Sequence, residues 1–167
     1  MISFTLLLNL LFAGVLGTLV VVAVVRAFDP RPARARAIVP LALLWAAAVL
    51  FMTLRPGTGL GVRLNLVPLI VDGPASALDA VLNVIVFVPL GLLLALTGIR
   101  LRSVFALALA LTLVIETTQY LTDLGRTADI NDVITNTAGA CLGWAVARGL
   151  QHIAGRAGAT RRVVPRY

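Results

Sequence analysis

The sequence predicts an all-α fold, a polytopic transmembrane helical bundle of about five spans. Three observations predict it. Hydrophobic residues fill 60% of the 167 positions and charged residues only 13%, about half the share of a soluble domain. Mean hydropathy is +1.01. Several apolar runs approach the length of roughly 20 residues that carries a helix across a hydrocarbon core, and no ten-residue alternating segments suggest a β-barrel.

The first run covers residues 3–25. It has no basic stretch before it and no small-residue cleavage site before Arg26, so it reads as a span, not a signal peptide. Gly14 and Gly17, with Ala13, offer a close-packing edge, and Asn9 reads as interhelical hydrogen-bonding glue. Residues 26–37 form a basic loop broken by two prolines. The second span covers 38–54 and stops at Arg55-Pro56-Gly57. Residues 56–78 read as a long connector whose Leu64–Val71 piece is too short to span and lies on or dips into the membrane. The third span, 79–98, carries Asn83 one turn inside, and Pro89 in mid-helix should free the carbonyl near Ile85. The fourth covers 103–121 and the fifth 131–150, with a Gly139, Gly143, Ala147 ridge of small residues suited to close packing or to a second copy of the chain. The transmembrane domain thus covers 1–151, and residues 152–167 read as a flexible basic tail near anionic headgroups.

All 14 basic residues are Arg, against seven acidic ones. Alternating the loops over five spans puts eleven arginines on one side and three on the other. By the positive-inside rule the N-terminus is outside and the C-terminus inside, as in a multi-pass protein of the bacterial plasma membrane. No nucleic-acid recognition module is visible, so the positive charge is read as topology. The lone Cys141 excludes an internal disulfide, and no metal-binding signature or cofactor motif is present. His152 stands alone as an interfacial residue.

Polar residues concentrate between Leu113 and Gly143. Glu116, Gln119, Tyr120 and Asp123 follow i, i+3, i+4, i+7 and share one helical face; Asp129, Asp132 and Asn136 share another. A turn holding Gly125 and Arg126 joins the two into a hairpin whose polar stripes can face each other. With Asn65 and Asn83 they converge on one outward-facing depression. Intramembrane carboxylates are costly and mark a candidate site.

Asn65-Leu-Val-Pro68, Leu82-Asn-Val-Ile-Val-Phe-Val-Pro-Leu-Gly91, Ile115-Glu-Thr-Thr-Gln-Tyr120 and the run from Gly125 to Gly139 occur in succession. In these pieces the chain resembles the VanZ-like family of bacterial integral membrane proteins, across roughly residues 40–150. The resemblance implies an envelope protein of a family whose founding member is associated with resistance to teicoplanin, a lipid-tailed glycopeptide. Carried over by position, the family's polar set falls on Asn65, Asn83, Glu116, Gln119, Arg126, Asp129, Asp132 and Asn136.

Four function classes are weighed. A binding module would hold a lipid-linked cell-wall precursor or a lipophilic glycopeptide in the depression, with Arg126 and Arg63 meeting a phosphate or carboxylate. An enzyme would use Glu116 or Asp132 as acid or base on an outer-leaflet substrate, or gather Glu116, Asp129 and Asp132 around a divalent cation. A transporter lacks the expected inverted repeat. A structural lock would pair Glu116 and Asp132 with Arg126 or with Asn and Gln side chains, but three carboxylates to one Arg leave charge over. The binding module is preferred.

Overall fold

The computed structural model describes residues 3–29, 35–57, 64–68, 73–122 and 125–163. Five helices dominate it: α1 (Phe4–Ala27), α2 (Ala35–Thr53), α3 (Gly73–Leu96), α4 (Leu101–Thr122) and α5 (Ile130–Val163). Strands β1 (Leu64–Asn65) and β2 (Ala128–Asp129) pair in parallel, Leu64 with Ala128 and Asn65 with Asp129. The described end of the connector is thus pinned to the start of α5. Leu69–Val71 and Arg63 lie outside the described residues.

Four helices, α1 to α4, are long and apolar enough to cross a membrane. The chain is an all-α membrane protein. The fifth expected span is helical but is not among those four. It carries Asn131, Asp132, Asn136 and Arg148, and it compensates by packing inside the bundle: α3 and α5 share the largest interface, with α1 and α2 against α3 and α4 against α5.

Helix ends differ from expectation in two places. α3 starts at Gly73, six residues early, because Gly73-Pro74 opens the helix instead of blocking it. Gly73 takes φ +88°, and Pro is tolerated in a first turn whose N–H groups lack partners anyway. α5 runs on to Val163, into the segment from residue 152 expected to be a flexible tail. No proline falls between Ile130 and Val163 to interrupt it. At 34 residues the helix is about 51 Å long, more than a membrane needs.

The centre of the bundle is a glycine-lined crossing. A Cβ built on Gly91 would collide with the Ala140 carbonyl, one on Gly139 with Val84, and one on Gly143 with Val88. The ridge of small residues on α5 is therefore used within the chain, against α3. Gly14 and Gly17 on α1, expected to form a packing edge, meet nothing within 4 Å. Pro89 is fully buried in α3, and Trp45 of α2 donates its Nε1–H to the neighbouring Val86 carbonyl at 2.8 Å. Trp45 also packs edge-on against Phe87, ring centroids 5.2 Å apart. Beside the expected free carbonyl at Ile85, a tryptophan thus enters the α3 backbone.

Candidate functional site

At one end of the bundle α2 and α4 finish while α3 and α5 begin. Two turns meet there. Gly57 lies so close to Gly125 that a Cβ on it would strike the Gly125 carbonyl, and Gly125 itself takes φ +66°. That contact brings Arg126 under the end of α2. Its Nε donates to the Arg55 carbonyl at 2.8 Å and its Nη2 to the Met52 carbonyl at 3.1 Å. Gln119 adds its Nε2 to the Thr53 carbonyl at 2.9 Å. The last carbonyls of a helix have no partner within it, so these side chains close the α2 C-terminus. Burial lowers the Arg126 pKa from its ordinary value, and the nearby Arg55 charge lowers it further; Asp132 and Glu116 act the other way.

The start of α5 is built from the carboxylates. Asp129 accepts the Asn131 N–H at 2.8 Å through Oδ1 and so caps the N-terminus of α5. Its Oδ2 accepts from Asn65 of β1 at 3.0 Å. Glu116 reaches across from α4, and its Oε2 accepts the Asp129 N–H at 2.8 Å. Asp132 accepts from Asn83 of α3 at 2.6 Å. Deeper, Asn136 donates to the Thr112 hydroxyl at 2.9 Å. The two stripes of the expected hairpin do face each other, but α3 and β1 supply half of the partners.

Between these elements lies a cavity of about 740 Å³. All eight residues singled out from the sequence line it: Asn65, Asn83, Glu116, Gln119, Arg126, Asp129, Asp132 and Asn136. Apolar side chains line the rest, among them Phe12, Val49, Val86, Phe87 and Ile115. Tyr120 does not join them. It is 43% exposed, because it sits about 80° round α4 from buried Thr112, at the edge of the inward face, whereas Gln119 sits within about 20°. Asp123 lies outside the described residues. Among the described residues no group of three His, Cys, Asp or Glu is arranged to hold a metal ion.

Sequence reasoning missed seven polar lining residues: Ser76, Asp79, Thr127, Asn131, Arg55, Thr53 and Thr135. The first two carried a signal. Ser76, Asp79, Asn83 and Val86 follow helical spacing along one face, but the stripe was cut by reading residues up to 78 as loop. Asn131 and Thr127 stand beside recognised residues without a period of their own.

Apolar helices of membrane length around a half-buried network of amides and carboxylates define a class: helical integral membrane proteins. Residues 38–151 match the family model described as VanZ/LLP1, and the chain belongs to that family. Protein VanZ of Enterococcus faecium is 43% identical over 82 residues, which cover 48% of this chain and 49% of that protein. The match thus spans about half the length of the curated relative. No solved structure matches the chain.

Proposed function

We propose that this VanZ-like protein binds a lipophilic or lipid-linked cell-wall ligand in the cavity, at the outer face of the bacterial plasma membrane. The observation that supports the reading is the two-sided lining. Carboxylates and amides gather near the helix ends, and Val86 and Phe87 line the cavity about 20 Å along α3 from its start. The excess of arginines on the opposite loops supports an outward orientation, and the family resemblance extends the proposal to glycopeptide resistance. Glu116 as an acid or base is the weaker reading. Its Oε2 is held by the Asp129 amide and the residue is only 7% exposed, which suits positioning of the α4–α5 junction.

A thermal-shift screen of detergent-purified wild type and Glu116→Gln tests the binding reading, using teicoplanin and a polyprenyl-diphosphate-linked cell-wall precursor as probes. Binding predicts that one probe stabilises the wild type and loses much of that effect in the variant. Stabilisation by neither, with a merely less stable variant, would reassign the cluster to structure. Product formation that Glu116→Gln abolishes would favour the enzyme.

A further inference from the structure

The cavity stops short on every helix that lines it. Its deepest lining residues are Phe12 on α1, Val49 on α2, Phe87 on α3, Ile115 on α4 and Asn136 on α5. One turn further along each helix stand Leu16, Trp45, Leu90, Thr112 and Ala140. All five are buried at 8% exposure or less, and none of them lines the cavity. Leu16, Trp45, Leu90 and Ala140 join Val49, Phe87 and Ile115 in one core cluster. Asn136 donates to the Thr112 hydroxyl at 2.9 Å and ties α5 to α4 there. The cavity therefore has a floor, and the floor is stiff at Phe87. Trp45 packs edge-on against that ring and is fixed in turn by its hydrogen bond to the Val86 carbonyl. The cavity is also shallow. Its lining runs from Thr53 to Val49, from Gln119 to Ile115 and from Asn131 to Asn136, about 6–8 Å of helix rise in each case. Half a hydrocarbon core is roughly 15 Å deep.

We infer that, of a lipid-linked ligand, the cavity encloses only the headgroup and about the first six carbons of the chain, and that Phe87 sets this limit. The inference rests on the binding reading above and specifies which part of the ligand is recognised. Asn83 is the deepest polar lining residue of α3, and about 6 Å of helix rise separates it from Phe87. That depth takes a short stretch of chain and no more. A longer chain meets a buried aromatic pair and must stay in the bilayer beside the protein. Selectivity then belongs to the headgroup and its first carbons, and not to total chain length.

Trp45 reports on the floor from behind, since it packs on Phe87 and is itself only 1% exposed. Trp144 is the other tryptophan, and Trp144→Phe leaves Trp45 as the sole emitter. This protein in phosphatidylcholine nanodiscs is titrated with bromobutyl, bromohexyl, bromooctyl and bromododecyl diphosphates, each brominated at the chain end. Bromine quenching of Trp45 emission is read at saturation. Quenching should peak at the hexyl or octyl compound, whose end reaches Phe87, and fall about twofold with the dodecyl one, whose end stays outside. Bromine dissolved in the bilayer cannot produce this pattern, because partitioning rises with chain length. Phe87→Leu should move the peak toward longer chains, whereas a merely structural Phe87 would lower the melting temperature and leave the peak in place. Quenching that keeps rising to the dodecyl compound, or a peak unmoved in Phe87→Leu, would overturn the inference and leave the binding reading standing. No quenching by any member, while the polyprenyl-linked precursor still raises the melting temperature, would do the same. No effect of either the series or the precursor would remove both.

Discussion

The α3–α5 pair behaves differently along its length. In one half Gly91, Gly139 and Gly143 bring the two backbones into contact, and the neighbours Leu92, Leu93 and Ala140 are fully buried. In the other half the glycines stop. Asn83 and Asp132 bridge the helices by a side-chain hydrogen bond, and a cavity opens beside them. Small residues remove space where the fold needs contact; polar residues hold a gap where it does not. One half therefore concentrates stability and the other presents chemistry.

The comparison can be broken first at the tight half. Gly143→Leu forces a side chain into the α3 backbone and should cost about 3 kcal/mol or abolish folding, read as melting temperature in detergent. Gly14→Leu, on a face with nothing near it, should change stability by under about 0.5 kcal/mol. Similar losses at both glycines would contradict the assignment of the packing core.

At the open half the largest stability effect is expected from Arg126→Ala. It strips two carbonyls of α2 of their partner and should cost about 2 kcal/mol, with Arg126→Lys recovering part. Asn83→Ala is smaller, about 1 kcal/mol, because Asp132 can turn to the cavity for water or ligand. Its main consequence should be altered ligand response. Smallest of all is removal of residues after 155, beyond the span expected to end at Leu150, which should leave melting within about 2 °C of the full chain.

Much of this division could be read from the sequence, and the reasons for the misses are specific. Hydropathy revealed four spans because lipid imposes length and composition directly. Helical spacing brought Glu116 and Gln119 to one face because period survives without knowledge of neighbours. It overreached at Tyr120, which falls at the margin of that face. The contacts of Arg126 with the end of α2 were not legible, because nothing local shows that α2, some 70 residues earlier, ends beneath it. Asn65 on Asp129 and Gln119 on the Thr53 carbonyl are likewise long-range pairings with no period of their own. The two small-residue motifs look alike on paper, yet α5 uses its ridge against α3 and α1 leaves its glycines uncovered.

The central claim is that the open half binds a ligand in its cavity. Ala80→Trp tests it most directly, because Ala80 lines the cavity and a tryptophan there would take up part of it. The measurement is the melting temperature of wild type and Ala80→Trp with and without whichever probe stabilises the wild type. The account predicts that the variant melts within about 3 °C of wild type when unliganded and gains nothing from the probe. Full stabilisation of the variant would contradict it and move the binding site elsewhere on the protein.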